Sequence, residues 1–226
     1  MLSSRSPVAA SSRSPRRSAT RSAGPDRLAP RRLILASANP HKARELADIL
    51  TGWVVDLLGA SHFPEETGAT FEENARAKVV FGRARAPGEA WVAGEDSGLE
   101  VDALGGAPGI RSARFAGAGA SDDENVARLL HELARGSAEE RTARYVCELV
   151  CLAPDGSELH ARGTLAGAIA AAPRGRGGFG YDPVFVPEGE TQTVAELGDV
   201  WKAANSHRAR AARALSERLG TPEEGV

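Results

Sequence analysis

The chain has 226 residues, a formal net charge of −2, 42% hydrophobic residues and 26% charged residues. These proportions describe an ordinary soluble globular protein with one domain, or one core in two lobes, long enough to bury that core without staples. No apolar run is long enough to cross a bilayer as a helix.

The charge is unevenly spread. Residues 1–32 hold eight arginines against one acid, Asp26, a net +7, so residues 33–226 carry −9. The first 30 residues are rich in Ser, Arg and Pro and are expected to be a disordered extension, with the folded domain over 31–226. They lack the apolar stretch of a secretory signal. Such a composition suits a transit peptide or a basic tether, but a plain unstructured extension or an early start codon is the preferred reading. An acidic body argues against a nucleic-acid phosphate track.

Leu33–Ser37 reads as a short buried strand. Asn39-Pro40 then opens a helix, Asn as N-cap and Pro at the first position, running to about Leu50 before Gly52 stops it. Trp53–Leu58 is a second strand. Thr70 and Glu73 form a capping box for a helix to about Arg85. Ala90–Ala93 is strand-like and runs into Glu95-Asp96-Ser97-Gly98. Gly105–Gly109 is a loop. Ser121 and Glu124 cap a helix to about Ala134. Arg141–Ala153 and Glu158–Ala170 are two longer strands joined by the turn Pro154–Ser157. A Gly-rich loop over 175–183 leads to a strand through Phe185, and a last helix runs from Ser206 to about Leu219. Helices interleaved with strands, plus one long hairpin, predict an α/β fold with a mixed sheet.

Cys147 and Cys151 alternate onto one strand face, roughly 13 Å apart at ~3.3 Å per residue. They cannot bridge there, and buried free thiols fit a reducing cytoplasm. No His/Cys spacing suggests zinc.

Of 28 basic residues only three are lysine, Lys42, Lys78 and Lys202, each close to Ser, Asn, His or Glu. A compact ammonium at these places suits phosphate. Ser37-x-Asn39-x-x-Lys42 sits between a strand and a helix N-terminus, where free N–H groups and the helix dipole favour anions. By itself, Asn-Pro at a helix start is more often only a cap. The Gly-x4-Gly-Lys pattern of a Walker loop is missing. Glu65-Glu66 and Glu95-Asp96 offer oxygen ligands without histidine, which suggests Mg²⁺ or Mn²⁺. Gly178-Phe179-Gly180-Tyr181-Asp182 pairs a permissive backbone with aromatic faces on which a base can stack. Lys202-x-x-x-Ser206-His207-Arg208 puts donors at the first turn of the last helix, within reach of a purine carbonyl.

In order and wording these four segments resemble the inosine triphosphate pyrophosphatase family, whose members act on ITP, dITP and XTP. The resemblance covers about residues 33–220, and its longest matching run is Glu95 to Phe115. It implies an elongated, mixed-sheet, two-lobed α/β fold with a central substrate cleft, usually as a homodimer. It implies Mg²⁺-dependent hydrolysis of nucleoside triphosphates to monophosphate and pyrophosphate. Asp96 falls on the catalytic acid and metal ligand, and Glu65 on the other metal-binding acid. Ser37, Ala38, Asn39, Pro40, His41 and Lys42 match the triphosphate-binding segment, with Lys78 beside it. Ser97, Phe179, Gly180, Tyr181, Asp182, Lys202, His207 and Arg208 match further substrate-contacting positions. Two departures stand out: Glu95 where bacterial members commonly have Asp, and Ser37-Ala38 where Thr-Gly is frequent.

Overall fold

The computed structural model describes residues 31–134 and 141–220. The extension expected over 1–30 lies outside them. Six strands form one mixed sheet: β1 (Arg31–Leu35), β2 (Trp53–Leu57), β3 (Trp91–Val101), β4 (Thr142–Leu152), β5 (Glu158–Ile169) and β6 (Phe185–Pro187). Their spatial order is β2-β1-β3-β4-β5-β6. β1 runs parallel to β2 and β3, and the other pairs are antiparallel. The helices are α1 (Pro40–Ala47), α2 (Phe71–Arg83), α3 (Asp122–Leu133), α4 (Val194–Asn205) and α5 (His207–Leu219).

Local signals set most helix starts. The Asn39 side chain accepts from His41 N–H, with Pro40 in the first turn. Ser121 and Glu124 make a full reciprocal capping box on α3. At α2 the box is displaced: Thr70 accepts from Glu73 N–H, but the Glu73 carboxylate reaches back to Ala69 N–H. α1 ends three residues before the expected Leu50. The chain tightens there, with Ile49 and Leu50 N–H both on the Leu46 carbonyl, and Gly52 at φ +80° turns it into β2.

α4 has no counterpart in the sequence reading, although Thr193 and Glu196 form the same capping box as at α3. Gly198, at φ +80°, interrupts its helical backbone and with it the regular helical period.

The largest difference concerns β3. The sequence reading gives this strand as Ala90–Ala93 running into the acidic motif, but it continues to Val101. β1 leaves it at Ala93, whereas β4 pairs with it from Val92 to Val101. The acidic motif therefore lies in mid-strand, paired on one side only.

Two cores share one face of the sheet. One gathers Leu33, Leu35, Leu46, Leu149 and Leu215 under α1 and α5. The other gathers Leu99, Leu129, Tyr145, Leu165 and Phe185 around α3. α2 covers the opposite face with Ala75 and Val79 against Val92 and Val150. Two glycines permit these close approaches. A Cβ on Gly94 would strike the Ala75 carbonyl of α2, and one on Gly163 would strike the His207 carbonyl of α5.

Candidate active site

From Glu95 onward one edge of β3 is free of β1. Ala93 and Glu95 turn their carbonyls to that edge, accepting from Ala36 N–H and Lys78 Nζ, and Leu99 turns its N–H there, donating to Ser112 Oγ. The two-residue period of a strand aims the Ser97 backbone polar groups the same way. The same period sends the Glu95 and Asp96 side chains to opposite faces, so the acidic motif builds two sites rather than one.

Glu95 is fully buried on the α1/α5 face. Lys42 Nζ lies 2.8 Å from its Oε2 and Arg208 Nη2 lies 3.2 Å from its Oε1. Burial alone would raise its carboxyl, but Arg208 and Lys42 outweigh that and hold it well below the usual carboxylate range. Arg208 also donates to Ser97 Oγ at 3.2 Å and pairs with Glu45. Lys202 donates to Asp182 at 2.6 Å, and Asp182 in turn accepts from Tyr145 OH and Phe179 N–H.

Asp96 points to the α2 face, where Lys78 donates to Oδ1 at 2.9 Å and Asn74 Nδ2 donates to Oδ2 at 3.1 Å. Lys78 also donates to Glu66 Oε1 at 2.6 Å, and Arg114 clamps Glu66 through Oε2 and the backbone carbonyl. Burial raises the Asp96 carboxyl; Lys78 opposes this, the nearby Glu66 charge adds to it, and the net direction is upward. The acid brought beside Asp96 is thus Glu66. Glu65, its neighbour, is exposed, and its backbone carbonyl accepts from Thr67 N–H.

A cleft of about 210 Å³ opens between the two cores on the Glu95 face. Of the sequence-predicted residues it is lined by Asn39, Lys42, Ser97, Phe179, Gly180, Tyr181, Asp182, Lys202, His207 and Arg208. Ser37 stands behind, its Oγ accepting from Asn39 N–H. His41 lies 6.0 Å from the Phe179 ring, on which Lys202 Nζ also sits at 3.8 Å. Ala38, Pro40, Lys78, Glu65 and Asp96 do not line this cleft. Lys78 and Asp96 belong to the other face and meet it only past the free edge, where Lys78 touches the Glu95 carbonyl.

The sequence reading missed several participants. Tyr145 stacks on His207 at 4.6 Å, and Ser112 and Asp122 line the cleft. Glu45, three residues after Lys42 on α1, was legible as a same-face neighbour. Asn74 and Arg114 were not, because only tertiary packing brings them to Asp96 and Glu66. His207 is buried; burial and the adjacent Arg208 push its pKa well below the usual imidazole value, so it is neutral. Its Nδ1 and the Nε of Arg208 are buried without a hydrogen-bond partner among the described residues. Cys147 and Cys151 are free and buried, as their strand spacing implies. No helix among the described residues is long and apolar enough to cross a membrane.

The Ham1 family model matches residues 33–218. The dITP/XTP pyrophosphatase of Bdellovibrio bacteriovorus is 47% identical over 178 residues, covering 79% of this chain and 88% of its own length. That of Streptomyces coelicolor is 48% identical over 191 residues, covering 81% and 94%. A solved nucleoside-triphosphatase / dITP/XTP pyrophosphatase from Mycobacterium abscessus superposes with a TM-score of 0.67 at 40% identity, covering 84% of this chain and all of its own. A HAM1 protein from Coxiella burnetii gives 0.77 at 34% identity, covering 84% and 98%. Motifs, two-lobed mixed sheet and relatives agree over one span, and the chain belongs to the Ham1 family.

Proposed function

We propose that the protein hydrolyses purine nucleoside triphosphates carrying a 6-keto base, ITP, dITP and XTP, to the monophosphate and pyrophosphate. The observation that carries this reading is that His207 and Arg208 both line the aromatic cleft, and that each has one buried nitrogen, His207 Nδ1 and Arg208 Nε, without a hydrogen-bond partner among the described residues. Arg208 is a donor, and so is neutral His207 in the tautomer protonated at Nδ1. A keto oxygen satisfies such donors, whereas an adenine amino group would face donor with donor. The names of the relatives, dITP/XTP pyrophosphatases, support two of these substrates.

The Phe179 ring offers a face for the base, and Lys42 with the α1 N-terminus offers positive charge for phosphate. Asp96 is our catalytic residue. Its carboxylate is oriented by Lys78 and Asn74, and its raised pKa makes it the better proton acceptor of the β3 pair. It takes a proton from the water that attacks the α-phosphorus. The new O–P bond forms as the α–β bridging bond breaks and pyrophosphate leaves.

A Mg²⁺ ion, or Mn²⁺, fits the donor set beside Asp96. Asp96 and Glu66 already converge on one cation, Lys78. Mg²⁺ usually takes one or two carboxylates from a protein, the rest coming from water and phosphate. We assign the second carboxylate to Glu66 in place of Glu65 on this proximity. When bound, the ion supplies Lewis acidity that offsets phosphate charge. We take the assembly to be a homodimer, which light scattering would check.

The test is a pyrophosphate-release screen over common and deaminated nucleoside triphosphates, with Mg²⁺ or excess EDTA. Release from ITP, dITP and XTP, little from ATP, and silence in EDTA are expected. Equal turnover of ATP, or release of orthophosphate as first product, would overturn the reading.

A further inference from the structure

Phe179 stands between two glycines in the left-handed region, Gly178 at φ +74° and Gly180 at φ +62°. Such a backbone has wide conformational freedom unless it is tied. Two carboxylates tie it. Asp182 Oδ2 accepts from Phe179 N–H at 2.9 Å, and Asp122 Oδ2 accepts from Gly180 N–H at 2.6 Å.

Asp182 is anchored within the site by Lys202 and Tyr145. Asp122 is different. It is the first residue of α3, an element to which the sequence assigns no part in the site. An acid there commonly only complements the helix dipole. In α3, however, Ser121 and Glu124 already satisfy the helix start through their reciprocal capping box. The Asp122 carboxylate is left for the loop and lines the cleft.

We propose that Asp122 is a positioning residue for base recognition: by holding the Gly180 N–H it fixes the Phe179 ring at the wall of the cleft that His207 and Arg208 also line. The ring is set between α1 and α5, 6.0 Å from the His41 ring and 5.8 Å from the Arg208 guanidinium. Loss of the tie leaves Phe179 free to swing on its two glycines, so the base loses its platform while the phosphate-binding charges stay in place. This inference rests on the reading that Phe179 meets the base.

The test compares Asp122→Ala, Asp122→Asn and Phe179→Ala in the full chain. KM and kcat are measured for ITP, and the inhibition constant for inorganic tripolyphosphate, which has no base. The Asp122 carboxylate is solvent-exposed, so the effect is modest. Asp122→Ala is expected to raise KM for ITP about fivefold with kcat and tripolyphosphate inhibition unchanged, the size of one charge-assisted hydrogen bond in water. Asp122→Asn keeps an oxygen acceptor for Gly180 N–H and is expected to recover most of the loss. Phe179→Ala sets the ceiling for the base-dependent effect. If Phe179→Ala raises KM for ITP and Asp122→Ala does not, the positioning role is overturned while the base reading stands. If Asp122→Ala weakens ITP and tripolyphosphate alike, its effect is not on the base, and the role is likewise overturned. If Phe179→Ala leaves KM for ITP unchanged, the base reading itself fails. Melting temperatures of the two Asp122 variants are expected to match that of the parent, since the α3 cap is intact in both.

Discussion

Glu95 and Asp96 stand one residue apart on β3 and face opposite sides of the sheet. Glu95 meets Lys42 and Arg208 in full burial, and its carboxyl is held well below the ordinary range. Asp96 meets one lysine that it shares with Glu66, and its carboxyl is pushed up. The count of cationic partners decides the difference. Direct contact with both Lys42 and Arg208 fixes Glu95 as an anion that takes no proton near neutral pH, although Arg208 also pairs with Glu45. Asp96 touches only Lys78, which it shares with the nearby Glu66, and this leaves it able to accept a proton. Chemically similar neighbours thus acquire different environments, and in the proposed mechanism different tasks, a structural anchor and a proton acceptor.

The strongest way to break this comparison is Asp96→Asn. The amide keeps the shape but accepts no proton, so kcat should fall by about 10²–10⁴-fold, the usual contribution of a positioned base. Nucleotide binding, followed by calorimetry, should survive. Near-normal turnover would remove Asp96 from its role.

Glu95→Gln should act on stability instead. It leaves Arg208 and Lys42 short of a buried counter-charge, at a cost of about 3–5 kcal/mol in denaturant unfolding. Glu95→Asp keeps the charge and should cost less, which separates charge from reach. The pH dependence follows in sign. A carboxyl with a lowered folded-state pKa adds stability above its unfolded value, near 4.5, and loses it as pH falls through the folded value. Melting curves of the parent should therefore decline on acidification below about pH 4.5, and those of Glu95→Gln should be flatter over that window. Equal slopes would mean that Glu95 is not the anchor described.

A third experiment separates base from phosphate. His207→Leu removes a neutral imidazole without unpairing Glu95, which Arg208→Ala would do. It should lower kcat/KM for ITP about tenfold, the scale of one buried hydrogen bond, and leave tripolyphosphate inhibition unchanged. Lys42→Ala should weaken ITP, ATP and tripolyphosphate by a common factor. A common factor for His207→Leu as well would move base recognition to the Phe179–Asp182 loop.

The smallest effect sharpens the Asp96 side alone. Glu66→Gln should raise the Mg²⁺ concentration needed for half-maximal rate, and Glu65→Gln should not, because Glu65 is exposed and Glu66 faces Lys78. The reverse result would restore Glu65 as the second acid.

By itself the sequence determined whatever a few neighbouring residues decide. The Asn39-Pro40 start of α1, the Ser121–Glu124 box, the Ser206 cap of α5 and the Pro154–Ser157 hairpin turn are all in place, because each rests on hydrogen bonds within a turn of chain. The phosphate and base motifs were legible as wording, and ten of their residues line one cleft. Tertiary structure decided the rest. β3 extends past Glu95 because β4, some fifty residues later, pairs with it to Val101. That extension sends Glu95 and Asp96 to opposite faces, which no local signal reveals. Which of the adjacent Glu65 and Glu66 side chains meets Lys78 and Arg114 is likewise decided by packing, and it is Glu66. Partners such as Asn74, Arg114 and Tyr145 enter because helices and strands distant in sequence are packed together through glycines 94 and 163, and the energy of a buried charge depends on those partners rather than on its neighbours in the chain.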